Sequence, residues 1–356
     1  MTAKIPGGLS IMNNDNVTEV DRAVEERLSL PPAATVECVK RLDGDYLVLG
    51  VGGKMGTTMA LMLRRALAAA GRHKAVVTGV SRFSRPLARD MLEQCGVRTL
   101  ACDLAEPDQV ATLPQAANVL YLAGQKFGTS DAPELTWIQN TIAPALVARH
   151  YRAARIVAFS TGCVYPFAPI DGPGSNESDP VAFLGEYASS CVGRERVFTC
   201  YAKRLGTRLL IFRLNYATEF RYGVLVDIAG KVQRGEPIDV TTGWLNCIWQ
   251  GDACARAIQC LEHVANPPLI LNVTGPEKLS VRALATEFGR RLGRDPVIVG
   301  HEDSHAWLSD AIASMRLFGP PTVSVEGMIG LVADHVRGGG ALLNKPTHFE
   351  TRTGEF

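Results

Sequence analysis

An apolar tetrad, Tyr46-Leu47-Val48-Leu49, runs straight into Gly50-Val51-Gly52-Gly53-Lys54-Met55-Gly56, and a long amphipathic stretch, Thr57 to Ala70, follows at once. A short apolar run, a cluster of glycines and then a helical period predict a strand, a sharp turn and a helix. Glycines let the backbone turn tightly and approach a ligand closely. The free N–H groups of the helix's first turn, with the positive end of its dipole, then face that ligand. Such a turn suits the pyrophosphate of a dinucleotide. The spacing of Gly50, Gly53 and Gly56 reads GxxGxxG. The GxGxxG form is not met, because position 55 is Met. A P-loop is not met either: Gly53-Lys54 is followed by Met55, where Ser or Thr is needed. The bland alternative is a tight strand-to-helix turn that holds no ligand.

The rest of the chain extends this unit. From Asp45 onward apolar strands alternate with helical periods. Strands are expected at Ala75 to Val80, Val97 to Cys102, Asn118 to Ala123, Arg155 to Ser160 and Arg208 to Leu214. Helices are expected from Ser84-Arg85-Pro86 to Cys95, from Ala132 to Tyr151 and from Glu186 to Leu205. This alternation implies an α/β fold: a Rossmann-type doubly wound parallel sheet with helices on both faces. After Asn215 the rhythm loosens. Val224 to Arg234 and Asp252 to His263 read as helices, Leu269 to Val273 as a strand, and Ser280 caps a helix that Gly293 ends. The expected division is an N-terminal extension over 1–43, with a short helix from Val17 to Leu28 stopped by Pro31-Pro32. A dinucleotide-binding domain over 44–215, rejoined by about 243–265, comes next. A smaller C-terminal substrate-binding region over 216–340 and a turn-rich tail over 341–356 complete it.

Composition narrows the function. The chain has 356 residues, 46% of them hydrophobic, enough for a sizeable core. A net charge of +1 points to neither nucleic acid nor a membrane surface. Nine cysteines without a CxxC pair favour reduced, buried thiols in a cytoplasmic protein, and no metal site is expected. The first residues lack the charged-then-apolar order of a signal peptide.

Further motifs carry a resemblance. Asp103-Leu104 follows the third expected strand, Tyr121-Leu122-Ala123-Gly124 ends the fourth, and Asn140 sits in the next helix. Ser160-Thr161-Gly162-Cys163-Val164-Tyr165 is similar to an SSxxVYG segment, and Tyr187 follows at the fitting distance. Arg213-Leu214-Asn215, Asn272-Val273-Thr274-Gly275 and Leu279-Ser280-Val281 fall in matching order. Over roughly Asp45 to Leu292 the chain resembles the extended short-chain dehydrogenase/reductase family, which includes NAD(P)-dependent sugar epimerases and dehydratases.

The resemblance implies roles. Gly50, Gly52, Gly53, Lys54, Met55 and Gly56 would cradle the cofactor, with Asp103, Leu104, Ala123, Gly124 and Asn215 along it. Tyr187 would be the acid/base, Thr161 would hold the substrate oxygen, and Asn140 would support a proton relay or the local backbone. The family's Lys, four residues after the Tyr, is missing: Tyr187-Ala188-Ser189-Ser190-Cys191 places Cys there. Lys126, just past the fourth strand, is the preferred replacement, and Arg194 is the other candidate. A catalytic Cys163 or Cys191 is disfavoured, since no His stands near either in sequence.

The second strand ends in Ser81-Arg82 with no acid to accept a ribose hydroxyl. Arg82 suits a 2′-phosphate and Ser81 can donate to it, so NADP is expected, with NAD as the alternative. Gly162 and Cys163 stand where the family's dehydratases carry an acidic pair, which argues against dehydration. Arg221, Trp249, Gln250 and Asp252 are candidate substrate-side groups. The expected protein is thus an oxidoreductase or epimerase acting on a carbohydrate-like hydroxyl or carbonyl, working as a homodimer. The rival expectation, kept alive by Cys191, is a catalytically impaired NADP-binding sensor or structural protein.

Overall fold

The computed structural model describes residues 19–83, 86–126 and 132–355. Ser84 and Arg85 of the expected helix start, and Val17 of the expected N-terminal helix, lie outside them.

Seven parallel strands form the central sheet: β1 (Tyr46–Leu49), β2 (Val77–Ser81), β3 (Arg98–Ala101), β4 (Asn118–Tyr121), β5 (Arg155–Thr161), β6 (Arg208–Leu214) and β7 (Leu269–Val273). Their spatial order is β7-β6-β5-β4-β1-β2-β3. Every residue of β1 and β4 is buried, as expected for strands covered on both faces. Chain order reverses beside β1. Connections leaving β1 and β4 therefore part to opposite faces, and a crevice opens at the carboxyl ends of the strands. Register sets the crevice level: Leu49 pairs with both Val80 and Tyr121. Gly50, Ser81 and Leu122 consequently emerge side by side.

One face of the sheet packs Met59, Leu63, Ala253 and Ile258 into a core, and the other packs Val147, Tyr151, Phe198 and Ala202. A second core joins the helices Val224–Arg234, Val281–Leu292 and Val325–Arg337 into a smaller lobe. Ser280 caps the middle one by accepting from Ala283 N, and Gly293 closes it at φ 70°.

Two elements differ from the sequence reading. The first helix, Glu19–Leu28, ends ahead of Pro31-Pro32, but a second one follows before the sheet. Pro32 is the N-cap of a further helix, Ala33–Arg41, whose Cys38 and Val39 enter the main core. Proline's fixed φ suits a helix start as well as a stop. The stretch expected as one helix over 132–151 is helical from Pro133 to His150, but it carries a π turn over Ile138–Ile142 between Pro133–Trp137 and Ala143–His150. Pro144 has no N–H to give to the Asn140 carbonyl, and the wider turn, with Ala143 N–H donating to Ile138 O, absorbs the gap. Among the described residues no helix is long and apolar enough to cross a membrane.

Candidate active site

The glycine turn is built as the spacing predicts. Gly50 has φ 90°, and a Cβ there would lie 2.6 Å from Ala123 N. A Cβ on Gly56 would sit 2.5 Å from the Gly50 carbonyl. No other residue fits either position without moving the sheet. Gly53 N–H donates to Gly50 O at 3.0 Å, and Thr57 Oγ1 to Val51 O at 3.2 Å, fixing the loop. No side chain caps the helix Gly56–Ala69. Gly52 and Gly53 present bare backbone to solvent. Open backbone at an uncapped helix start is a cradle that a dinucleotide pyrophosphate fits.

The flanking groups fall around it. Ser81 Oγ lies beside Gly52. Arg82 NH1 is 3.9 Å from Asp103 Oδ2, with its side chain 68% exposed. Asp103 Oδ1 also accepts from Ala105 N. Leu104 packs into the sheet core, and Met55 against the other face. Gly124 is exposed at the end of β4. Lys54 turns toward the smaller lobe, its Nζ 3.2 Å from the Tyr222 ring centre. Burial, with Lys126 and Lys345 nearby, pushes its ammonium down to about 6, against the pull of Asp227 and Glu219.

At the end of β5, Thr161 lies near Tyr187 from the first turn of the helix Gly185–Leu205, and its hydroxyl acts to lower the Tyr187 phenol. Burial raises the Tyr187 phenol well above 10, with Cys191 and Cys163 adding to it. Arg194 and Thr161 work the other way. Lys126 Nζ stands 5.8 Å from the Tyr187 ring centre. Burial lowers the pKa of its ammonium.

Asn140 holds the loop that carries Lys126, and through Ser190, whose hydroxyl donates to Tyr187 O at 2.9 Å, it is linked to the Tyr187 backbone. Its Oδ1 accepts from Gln125 N at 3.0 Å and its Nδ2 donates to Gln125 O at 3.0 Å. Nδ2 also donates to Ser190 Oγ at 2.9 Å, and Arg194 NH2 bonds Oδ1. Arg194 donates further to Phe159 O at 3.1 Å. Cys191 is fully buried beside Val164, Tyr165 and Val192, and burial pushes its thiol up to about 11. The Cys163 thiol is raised by burial too.

The smaller lobe supplies the opposite wall. Burial raises the phenol of Tyr216, with Cys163, Tyr222 and Asp227 nearby. Asn215 spends its amide on Asn246 Oδ1 at 2.7 Å and packs under Gly162. The other candidate substrate-side groups are structural. Arg221 pairs with Glu25 and Glu219, Asp252 accepts from Thr322 and Val323, Gln250 bonds Thr58, and Trp249 packs on Phe220. Tyr216, Tyr222, Asp227 and Thr347 were not singled out by sequence. Asp227 alone left a trace, as a lone acid in the apolar run Val224-Leu225-Val226-Asp227-Ile228.

The model of the NAD dependent epimerase/dehydratase family matches residues 46–266. The chain belongs to that family. Solved structures with the same fold include the UDP-glucose 4-epimerase of Thermus thermophilus in complex with NAD, at 20% identity and TM-score 0.67. There 83% of this chain covers 99% of that one. The UDP-glucose 4-epimerase of Thermotoga maritima with UDP-glucose gives 16% identity and TM-score 0.68, with 83% of this chain over 99% of that one. The dTDP-glucose 4,6-dehydratase of Streptomyces venezuelae with NAD bound gives 20% and 0.68, with 83% of this chain over 97% of that one. No curated relative matches the sequence.

Proposed function

We propose that this family member is an NAD(P)-dependent oxidoreductase or epimerase acting on a hydroxyl or carbonyl of a sugar or sugar-derived substrate. The placement of Thr161 and Tyr187 near one another, at the carboxyl end of the sheet that also carries the open glycine cradle, is the observation that supports it. Nicotinamide, when bound, supplies the hydride acceptor or donor. Thr161 holds the substrate oxygen. The Tyr187 hydroxyl gives a proton to it or takes one from it, and Asn140 keeps Lys126 beside it. The division into a sheet domain over 44–215 and a substrate lobe over 216–340 belongs to the same reading. The test is hydride transfer, followed by nicotinamide absorbance, across free sugars, aldonates and nucleotide sugars. A second reading, an impaired cofactor-binding sensor, is favoured by Cys191 alone. Tight cofactor binding without turnover on any of these compounds would decide for it.

NADP is the proposed cofactor, although the solved neighbours bind NAD. The argument is Arg82, exposed at the end of β2 beside Asp103, where a 2′-phosphate would take the guanidinium from the carboxylate. Replacing Arg82 by Ala is expected to weaken NADP about tenfold and leave NAD unchanged, read by fluorescence titration. Equal losses for both, or none, would remove the preference.

Self-association is proposed through the segment 133–150. Leu135, Trp137, Ile138 and Ile142 stand exposed on it. Sedimentation velocity is expected to show a dimer, and a monomer at micromolar concentration would end that proposal. A cytoplasmic address fits nine free cysteines, and cell fractionation tests it.

A further inference from the structure

Residues 341–355 form no helix or strand, yet they bind both sides of the crevice. Thr347 makes the crossing. Its carbonyl accepts from Lys126 Nζ at 3.3 Å on the sheet side. Its N–H and hydroxyl donate to Asp227 Oδ2 at 2.7 and 2.5 Å on the lobe side. Only 3% of Thr347 and 2% of Phe349 is exposed.

The segment is anchored on either side of that point. Upstream, Leu343 N–H donates to Arg221 O at 3.0 Å. Downstream, Glu350 pairs with Lys231 at 2.5 Å and accepts from Asp239 N at 3.1 Å. Arg352 pairs with Asp303 at 3.3 Å and lies 4.3 Å over the Phe167 ring. Gly354 passes so close to Leu184 and Gly185 that neither glycine has room for a Cβ. Gly185 begins the helix that carries Tyr187.

We propose that the C-terminal segment is a fixed wall of the substrate pocket and that Thr347 is the residue positioning Lys126 and Asp227 on its two sides. The inference rests on the reading of Thr161 and Tyr187 as the active pair, beside which Lys126 stands. Lys126 Nζ is 5.8 Å from the Tyr187 ring centre and 3.3 Å from the Thr347 carbonyl, so the segment crosses close to the proposed acid/base.

The test uses the full-length protein and iodoacetamide, with labelling followed peptide by peptide by mass spectrometry. Cys163 packs against Ala188 and Trp307 next to Tyr187, whereas Cys38 and Cys254 sit in the main core. Thr347→Gly is expected to speed labelling of Cys163 about tenfold, with Cys38 and Cys254 unchanged. Thr347→Ser, which keeps the hydroxyl, is expected to restore wild-type protection. Unchanged Cys163 labelling in Thr347→Gly, or a rise shared equally by Cys38 and Cys254, overturns the wall. The labelling needs no turnover, so a failed enzyme reading shows separately, in the hydride-transfer assay.

Discussion

Tyr187→Phe is expected to lower kcat/KM for hydride transfer by about 10²–10⁴-fold while leaving cofactor affinity unchanged. The substitution removes one oxygen and little else. The ring keeps its packing against Val164, Cys191 and Val192, so no cavity opens. Thr161 Oγ1 keeps the bond it accepts from Cys163 N at 3.2 Å, so the end of β5 stays in place. What disappears is the proton carrier on the substrate oxygen. Its direction of action follows from its environment. Burial holds the phenol protonated throughout the neutral range. The resting enzyme is therefore ready as an acid toward a carbonyl, and oxidation of a hydroxyl should speed up as pH rises. Steady-state kinetics in both directions, with fluorescence titration of the cofactor, checks each part. A Phe variant of wild-type activity would remove Tyr187 from the mechanism.

The parts of this molecule that sequence reveals are those whose cause is local. A glycine at φ 90° pressed against Ala123 can be nothing else, so Gly50 announces the turn, and with it the sheet and the ligand class. Strands buried on both faces announce themselves as apolar runs, and Ser280 and Gly293 mark a helix at both ends. The crevice walls arise differently. Asp227 and Thr347 come from distant parts of the chain and meet only because the smaller lobe and the C-terminal segment fold together. No spacing encodes that meeting, and 341–355 has no period to read. Ala33–Arg41 stayed hidden because a proline pair reads equally as an end and a beginning. The π turn at Ile138–Ile142 depends on Pro144, a single residue inside an otherwise helical pattern. Even the four residues proposed for catalysis divide on this line. Tyr187 packs beside Cys163 and Cys191, close to the segment its motif names. Asn140 serves the backbone of Gln125, one of the two roles its motif allows, and which of them holds rests on the loop after β4 and not on sequence distance.

Removing the charge of Arg194 should damage catalysis more than removing that of Lys126. Sequence position favours Lys126 as the stand-in for the missing Lys, but the electrostatics favour Arg194. Arg194 opposes the rise in the Tyr187 phenol, and a guanidinium stays charged at any working pH. Lys126 is buried, which lowers the pKa of its ammonium, while the phenol beside it is raised. On titration upward Lys126 gives up its proton first, and so it is neutral when Tyr187 ionises. A unit charge about 5 Å away in an effective dielectric of about 20 contributes roughly 3 kcal/mol, or about two pKa units, which sets the upper bound for Arg194. Arg194→Met is accordingly expected to move the alkaline limb of the oxidation profile up by up to about two pH units, with kcat/KM near neutrality down by up to about 10²-fold. Lys126→Met should leave the limb in place and cost less than about tenfold. Arg194 also bonds Asn140 and the Phe159 carbonyl, so its loss disturbs packing as well as charge. Arg194→Lys separates the two effects: a cation restored without the guanidinium's fork should return the limb toward its wild-type position even where thermal stability stays low. If the limb moves in Lys126→Met and not in Arg194→Met, the missing Lys is replaced from the loop after β4, and Arg194 is a structural strut.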